Sequence, residues 1–374
     1  MSLTTEEIRR YARHLSLPQF GEEAQEKLKA AKVLVVGTGG LGAPILQYLT
    51  AAGVGTIGVV DFDTVDESNL QRQVLFGVSN VREKKTTSAI SKLQDQNPNV
   101  RFEEHADILN SANAMDIVSN YDVVVDGTDN FPTRYLVNDA CVLLGKPYVY
   151  ASIYQFEGQV SVFNYQDGPN YRDLFPTPPP PGLVPSCAEG GVLGVLPGII
   201  GSLQASEALK VIAGIGKPLS GKLFLFDALD FSTRTLNVRK DPANPISGDN
   251  PTLTELIDYD EFCGINSDPK LASITVQQLK EWQDSGEEFV LIDVREGYEY
   301  ESANLGGIHI PLGQVEQHLD KIPKVGRVVV HCKAGGRSAQ AIGKLEGSGY
   351  QNLTNLEGGI LAWKEAFEPD MEVV

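Results

Sequence analysis

The chain is poor in positive charge. Its 374 residues include 31 lysines and arginines against 49 aspartates and glutamates, a formal net charge of −18. The deficit persists in residues 271–374, which contain 9 basic and 16 acidic residues. Proteins that bind DNA or RNA usually present a basic surface to the phosphates. A nucleic-acid partner is therefore not expected.

Cysteines and long hydrophobic runs are also scarce. The four cysteines are Cys141, Cys187, Cys263 and Cys332. None lies close to another in the sequence, which argues against a disulfide framework. The most apolar stretch, residues 192–215, is interrupted by Pro197, Glu207 and Lys210, so it predicts a buried helix and not a membrane span. The charged N-terminal segment lacks the apolar core of a signal peptide. We therefore expect a cytoplasmic protein with no membrane contact.

Two blocks of alternating strands and helices divide the chain. Residues 31–63 read as strand, glycine turn, helix and strand, and "YDVVVDGTD" and "GKPYVYASI" continue the pattern. This predicts an α/β, Rossmann-like nucleotide-binding domain with a mostly parallel sheet. Residues 176–185 are proline-rich and predict an extended crossing segment, and residues 240–272 predict a loop and linker. A second, smaller α/β domain follows, so we predict domains at residues 1–270 and 271–374.

A glycine-rich turn joins the first strand to the first helix of that pattern. It contains Gly37, Gly39, Gly40 and Gly42, and Asp61 ends the next strand. Glycines let the backbone approach a phosphate at a helix N-terminus, and the carboxylate can accept hydrogen bonds from ribose hydroxyls. Taken alone, the turn fits an NAD-dependent dehydrogenase, another nucleotide-binding fold, or a merely structural tight turn.

The polar residues that follow favour a triphosphate over a dinucleotide. Arg72 can grip phosphate oxygens, with Asn69 and Gln73 beside it, and Lys85 offers a point charge. A nicotinamide half-site needs no such polar density. Asp129 comes at a later strand end, where a carboxylate could hold Mg²⁺. The sequence contains no G-x-x-x-x-G-K-[ST] loop, which excludes a P-loop enzyme.

With these motifs the chain resembles the MoeB/ThiF family, the prokaryotic relatives of ubiquitin-activating enzymes. The resemblance covers about residues 5 to 265 and rests on "GTGGLG", "DFDTVDESNLQRQ", "DGTDNFPTRYLVNDAC" and "VPSCAEGGVLG". It implies ATP-dependent adenylylation of the C-terminal glycine of a ubiquitin-like sulfur carrier. It also implies that Arg13 reaches the phosphates of a neighbouring subunit in a homodimer, and that Asp129 binds magnesium. Besides the four glycines and Asp61, the predicted cofactor-binding residues are Asp63, Ser68, Asn69, Leu70, Gln71, Arg72, Gln73, Lys85, Asp129 and Asn130.

The chemistry of adenylylation matches these residue types. A carboxylate that attacks the α-phosphate needs its own negative charge and that of the leaving pyrophosphate neutralised. Arg13, Arg72, Lys85 and Mg²⁺ would supply the positive charge. A glycine carboxylate is already ionised near neutral pH, so no general base is required.

The second block carries a cysteine loop, "HCKAGGRS". Cys332 follows an apolar run, and the backbone N–H groups after it, together with Arg337, favour a thiolate. Residues 271–370 resemble a rhodanese domain, which implies that Cys332 carries sulfur as a persulfide. The alternative is a phosphatase, but only four residues separate Cys332 from Arg337, one fewer than such phosphatase loops contain.

Together the two sites predict an adenylyltransferase that is also a sulfurtransferase. ATP would activate the carrier's C-terminal Gly-Gly, and the persulfide would convert it to a thiocarboxylate. The sulfur donor could be thiosulfate or a cysteine desulfurase. The sequence leaves open whether the pathway serves molybdopterin, thiamine, cysteine or tRNA thiolation.

Cys187 leaves a choice between two roles. A free cysteine is usually a small buried residue, yet the surrounding glycines and prolines suit a thiol that moves toward an acyl adenylate. The resemblance makes it a candidate for an acyl or mixed-disulfide intermediate. Two further alternatives for the whole protein are a conjugating enzyme that passes the modifier on as a thioester and a binding module with an inactive site.

The other two cysteines have no predicted catalytic role. Cys141 is predicted to lie in the core, and Cys263 has no predicted role.

Many members of the resembled family bind a structural zinc through two Cys-x-x-Cys pairs. In this chain the corresponding positions are Asn170, Asp173, Asn244 and Ser247. Asparagine and serine are not ligands of structural zinc sites. We therefore expect no zinc, and we expect hydrogen bonds and apolar packing to hold the two loops together.

Overall fold

Two compact units, Met1–Ile265 and Asn266–Val374, make up the chain. The computed structural model describes residues 2–179, 190–264 and 271–373, so Cys187 lies outside the described residues. Each unit has an α/β fold built on one sheet. The sheet is mostly parallel in the first unit and wholly parallel in the second, which confirms the predicted fold class. Among the described residues, no helix is both long enough and apolar enough to span a bilayer.

An eight-stranded sheet forms the centre of the first unit. Its strands are β1 Lys32–Val36, β2 Thr56–Val60, β3 Arg101–His105, β4 Val123–Asp126, β5 Tyr148–Tyr154, β6 Glu157–Phe163, β7 Lys222–Asp227 and β8 Ser232–Asn237. They lie in the order β3-β2-β1-β4-β5-β6-β7-β8. The first five strands in this order are parallel, and β5 to β8 are antiparallel. The carboxyl ends of β1, β2 and β4 therefore meet at one edge, where ligands of such sheets bind.

The helices of this unit pack against the sheet and against one another. They are α1 Thr5–Arg10, α2 Ala12–Leu15, α3 Gly21–Ala30, α4 Gly42–Ala52, α5 Lys85–Gln96, α6 Ala114–Ser119, α7 Phe131–Leu143, α8 Tyr171–Leu174, α9 Leu196–Ala213 and α10 Tyr259–Phe262. Two short 3₁₀ turns span Glu67–Asn69 and Val78–Asn80. Helix α9 is the buried helix predicted for residues 192–215, and α4 ends at Gly53, which adopts the left-handed conformation.

Apolar residues on both faces of the central strands explain the layered core. In β1, Val33 and Val35 pack into one core cluster, whereas Leu34 and Val36 pack into another on the opposite face. Successive side chains of a strand point to opposite faces, so a strand buried on both faces reads as an unbroken apolar run. Cys141, on α7, lies in the second cluster, as predicted.

The second unit repeats the scheme on a smaller scale. Its strands are β9 Ser273–Ile274, β10 Phe289–Asp293, β11 Ile308–His309, β12 Arg327–His331 and β13 Leu353–Leu356, in the order β11-β10-β12-β13-β9. Its helices are α11 Val276–Ser285, α12 Gly297–Ser302, α13 Gly336–Gly347 and α14 Gly359–Phe367, with 3₁₀ turns at Leu312–Gln317 and Leu319–Lys321. Strand β12 is central in this sheet, and Cys332 follows its last residue.

The four positions that replace the zinc ligands lie together in the first unit. The side-chain amide of Asn244 donates hydrogen bonds to Asp173 Oδ1 at 2.7 Å and to Asn170 Oδ1 at 3.2 Å. Asn170 in turn donates to Ser247 Oγ at 2.7 Å. Asn170 and Asn244 are buried, and the side-chain oxygen of Asn244 accepts from the backbone N–H of Ile246. Two loops more than 70 residues apart are thus joined by hydrogen bonds among groups that do not fit a structural zinc site.

Purified protein is expected to contain far less than one zinc per chain by metal analysis. A chelator should leave its thermal unfolding midpoint unchanged, because hydrogen bonds hold the two loops. Asn244→Ala should lower the free energy of unfolding by about 2 kcal/mol in a urea titration, because it leaves buried polar groups unsatisfied. Asn250→Ala, an exposed change in the same loop, is the control. Near-stoichiometric zinc whose removal lowers the midpoint would contradict the prediction.

Candidate functional site

Three glycines allow two loops to touch at the carboxyl edge of the first sheet. Gly37 has φ +90°, a conformation that disfavours side chains. A Cβ on Gly42 would lie 2.0 Å from the Gly37 carbonyl oxygen. A Cβ on Gly127 would lie 3.0 Å from the Gly42 nitrogen. The turn after β1 and the loop after β4 therefore pack backbone against backbone, and both face the same opening.

That opening is a cleft of about 900 Å³, including the solvent at its mouth. The predicted residues that line it are Gly37, Gly39, Gly40, Asp61, Asp63, Arg72, Gln73, Lys85, Asp129 and Asn130. The structure thus brings together residues from the ends of β1, β2 and β4 and from the start of α5. The shared edge of the sheet is what gathers these distant segments.

Six other predicted residues are not part of the cleft wall. They are Arg13, Gly42, Ser68, Asn69, Leu70 and Gln71. Gly42 faces the Gly37 backbone, and Ser68 and Asn69 form a 3₁₀ turn whose cap is Asp66. The Ser68 carbonyl accepts a hydrogen bond from Arg72 Nη1 at 3.1 Å, so this turn supports a residue of the wall. Arg13 is exposed on α2 and does not line the cleft of its own chain.

Hydrogen bonds and one ion pair fix the charged groups of the cleft. Asp61 Oδ2 accepts from the backbone N–H of Thr38 at 2.8 Å and from its hydroxyl at 2.7 Å. A carboxylate has about four acceptor sites, so Asp61 can hold the glycine turn and still accept from a ribose. Lys85 Nζ lies 2.8 Å from Asp63 Oδ2, with the lysine buried and the aspartate about half exposed. Gln73 is buried at the wall, and its side-chain carbonyl has no hydrogen-bond partner in the described structure.

Sequence reasoning missed two kinds of residue here. Phe62, Ile108 and Ile153 form apolar parts of the wall, and Thr38 and Thr128 anchor the two loops. Apolar wall residues carry no pattern that distinguishes them from core residues. Thr38 lies inside the glycine motif, and the fixed spacing between this motif and Asp61 is the sequence pattern that could have identified it as the partner of Asp61. Asn130 also has a second role, because its side-chain oxygen caps helix α7 by accepting from the Thr133 N–H.

The second site surrounds Cys332, a buried thiol at the end of β12. Its sulfur accepts a hydrogen bond from the Gly335 N–H at 3.1 Å and lies 3.5 Å from the Ser338 hydroxyl. Ser338 donates to Asn355 Oδ1 at 2.6 Å, and helix α13 begins at Gly336. Backbone N–H groups and the start of a helix stabilise negative charge on sulfur.

Arg337, the second residue of helix α13, is held in place by a carboxylate. Its two terminal nitrogens lie 2.6 and 2.7 Å from the Glu299 oxygens. Burial raises the pKa of Glu299, but the hydrogen bonds and charge of Arg337 more than offset this, so its pKa lies below the usual value. Arg295 and Asp293, both buried, form a similar pair beneath α12. Arg337 is therefore anchored close to the thiol loop and keeps its positive charge there.

Comparison with known proteins identifies both parts of the chain. The sequence profile of the ThiF family matches residues 11–246, and that of the Rhodanese-like domain matches residues 275–366. The "Probable adenylyltransferase/sulfurtransferase MoeZ" of Mycobacterium tuberculosis is 49% identical over 383 residues, which cover 99% of this chain and 96% of that protein. "Adenylyltransferase and sulfurtransferase MOCS3" of Bos taurus is 43% identical over 97% of this chain and 86% of its own length.

A shorter relative and a solved structure match the first unit. The "Sulfur carrier protein adenylyltransferase" of Thermus thermophilus is 59% identical over 71% of this chain and 100% of its own length. The E. coli MccB structure with MccA-N7isoASN superposes with a TM-score of 0.59, at 23% identity, over 66% of this chain and 75% of that chain. This likeness is one of fold alone. The predicted resemblance is thereby confirmed: the chain belongs to the ThiF family, and it is an enzyme that combines an adenylyltransferase with a rhodanese-like sulfurtransferase.

Proposed function

We propose that residues 1–270 adenylylate the C-terminal glycine of a ubiquitin-like sulfur carrier with ATP, and that residues 271–374 deliver sulfur from a persulfide on Cys332. The observation that carries this proposal is the presence, in one chain, of a cleft lined by Arg72, Lys85 and a glycine turn, and of a thiol that accepts a backbone hydrogen bond in a second loop. One site makes a carboxylate electrophilic, and the other supplies a sulfur nucleophile. Joining both sites in one chain raises their effective concentration.

In the first step, Arg72 and Lys85 would bind the phosphates. Lys85 could keep its bond to Asp63 and also donate to a phosphate oxygen, because an ammonium group has three donors. Asp129 is exposed at the cleft, and Mg²⁺ is commonly bound by one or two carboxylates together with phosphate oxygens and water. Bound there, Mg²⁺ would neutralise charge on the α-phosphate and on the leaving pyrophosphate. The described residues contain no group of three His, Cys, Asp or Glu side chains that could hold a metal without ATP.

A second cleft, of about 530 Å³, supports the carrier as partner. It lies on strands β5 to β8 and shares Ile153 with the nucleotide cleft, so an extended tail could pass from one to the other. Leu229, Phe231 and Leu236 are exposed nearby, at the turn before β8 and on this edge strand. Exposed apolar residues at a sheet edge are typical of protein-binding surfaces. The carrier body would contact this edge while its C-terminal glycines reach the ATP.

We further propose a homodimer, because Arg13 is exposed and does not line the cleft of its own chain. In a dimer it could reach the phosphates bound to the neighbouring subunit. A cytoplasmic location would suit a mechanism that depends on free thiols.

The sulfur step would proceed by acyl transfer. The terminal sulfur of the Cys332 persulfide attacks the acyl adenylate, the new C–S bond forms, and AMP leaves with the electron pair. A thiol, for which Cys187 is the candidate, then attacks the Cys332 sulfur and breaks the S–S bond. This releases the carrier thiocarboxylate and leaves a disulfide, which a cellular thiol reduces. Thiosulfate or a cysteine desulfurase would renew the persulfide.

Asp129→Ala should abolish pyrophosphate exchange that depends on a carrier ending in Gly-Gly, because the magnesium would lose its protein ligand. Asp107→Ala removes an exposed carboxylate that follows β3 outside the cleft wall, and it should retain exchange near the wild-type rate. Radiolabelled pyrophosphate incorporation into ATP measures both variants. Near-normal exchange by Asp129→Ala would remove this residue from the site.

Cys332→Ala should leave pyrophosphate exchange intact and stop thiocarboxylate formation from thiosulfate, because it removes the sulfur nucleophile alone. Mass spectrometry of the carrier detects the product. Cys263→Ala, another buried cysteine, should behave like the wild type, and Cys187→Ala should show a partial loss. Full-rate product formation by Cys332→Ala would show that the rhodanese-like domain is not the donor.

Gly335→Ala should lower sulfur transfer from thiosulfate to cyanide by at least about tenfold. The residue has φ +101°, where a side chain costs about 1–3 kcal/mol, and its N–H donates to the Cys332 sulfur. Gly343→Ala, in open space on the same helix, should keep the activity and stabilise the helix slightly. Equal activity in the two variants would contradict a role for the Gly335 N–H.

A further inference from the structure

Asp126, the last residue of β4, is a fully buried carboxylate beneath the nucleotide cleft. Its Oδ1 accepts hydrogen bonds from the Thr128 backbone N–H at 2.8 Å and from the Thr128 hydroxyl at 2.6 Å. Its Oδ2 accepts from the Tyr148 hydroxyl at 2.5 Å. Asp126 is not part of the cleft wall, so it does not belong to the predicted nucleotide-binding set.

Other buried groups complete the environment of this carboxylate. Gln204, on α9, donates to the Asp126 backbone carbonyl at 2.7 Å and so ties the strand end to a core helix. Burial raises the pKa of Asp126, which the positive charge of buried Arg134 and the hydrogen bonds from Thr128 and Tyr148 oppose. Isolated buried carboxylates are costly, so they persist where hydrogen bonds and opposite charge compensate them. Asp126 meets these conditions.

The network fixes the conformation of the loop that follows β4. Thr128 is held on both sides, because its N–H and hydroxyl donate to Asp126 and its carbonyl accepts from Arg134 Nη2 at 3.3 Å. Gly127, between them, packs against the backbone of Gly37 and Gly42. The next residue in the chain is Asp129, whose direction therefore depends on how Thr128 is held.

We infer that Asp126 and Tyr148 are positioning residues, which aim the Asp129 carboxylate at the metal that accompanies ATP. The inference rests on the proposed role of Asp129 as the magnesium ligand. Groups that orient a metal ligand typically change metal affinity when they are removed, while the remaining ligand contacts stay in place. The Asp126 carboxylate accepts three hydrogen bonds, two of them from the loop that follows β4. An apolar residue of similar volume would accept none and would leave that loop unanchored.

A pair of matched variants tests the inference. Tyr148→Phe and Tyr150→Phe each remove one hydroxyl from a buried tyrosine of β5, and both rings pack against Phe163. The Tyr148 hydroxyl bonds Asp126, whereas the Tyr150 hydroxyl accepts from Gln159. Calorimetric titration with ATP, in EDTA and in saturating Mg²⁺, gives the factor by which Mg²⁺ tightens ATP binding. Thermal unfolding of both variants checks that they are folded.

In the wild type and in Tyr150→Phe, Mg²⁺ should tighten ATP binding by the same factor. In Tyr148→Phe that factor should fall roughly tenfold, while affinity in EDTA stays within about twofold of the wild type. Equal factors in the two variants, or an equal loss with and without Mg²⁺, would overturn the inference and leave the proposed function standing. A wild type that binds no ATP, or binds it without a Mg²⁺ effect, would instead overturn the proposed function. If Tyr148→Phe does not fold, Thr128→Val replaces it, because this change also removes a hydroxyl that donates to Asp126. The same titrations and the same expected factors then apply to Thr128→Val.

Discussion

The first unit depends on a contact made without side chains. Gly37, Gly42 and Gly127 let the turn after β1 and the loop after β4 meet backbone to backbone. An added Cβ on Gly37 would lie 3.0 Å from the Gly127 carbonyl carbon, and one on Gly127 would lie 3.0 Å from the Gly42 nitrogen, so either would push the two loops apart. Because they do meet, Asp61 and Asp129 face the same cleft although they are 68 positions apart in the sequence. The polar anchors, Thr38 on one loop and Thr128 on the other, stabilise a geometry that the glycines make possible.

Both units present backbone N–H groups at the same kind of position. In each, a central parallel strand ends in a glycine-containing loop that leads into a helix, β1 into α4 and β12 into α13. In the first unit the loop faces a cleft suited to the phosphates of a nucleotide, whereas in the second it surrounds the Cys332 sulfur. The exposed N–H groups of a helix start favour an anion in either case. The two units therefore use one electrostatic device for different chemistry.

Much of this arrangement could be predicted from the sequence, because it rests on local patterns. The strand–glycine–helix motif and the Cys332–Arg337 spacing are read within a few residues, and they located β1, α4, β12 and α13. Partners that are distant in sequence could not be read in the same way. Glu299, the partner of Arg337, and Tyr148, the partner of Asp126, lie 38 and 22 positions away from the residues they contact. Their roles depend on strand order and register, which no local pattern specifies.

The apolar parts of the cleft were hidden for another reason. Phe62 and Ile108 look like core residues in the sequence, yet both are more than half exposed at the cleft. The glycine turn alone could not separate a dinucleotide from a triphosphate either, and it was the polar residues after Asp61 that did so. At Asn170 and Ser247 the sequence shows that cysteine is absent. The hydrogen bond between these two residues, however, is seen only in the folded chain.

The nucleotide cleft also couples folding to ligand supply. Its walls come from segments around residues 37, 61, 129 and 153, so the cleft does not exist in the unfolded chain. A ligand that binds the folded state alone, at about 100 times its dissociation constant, contributes about 2.7 kcal/mol to stability. By contrast, the hydrogen bonds of Glu299 and Ser338 that hold the thiol loop of the second unit involve no ligand. With ATP bound in this cleft as proposed, the folded population of the first unit would rise and fall with the concentration of the nucleotide.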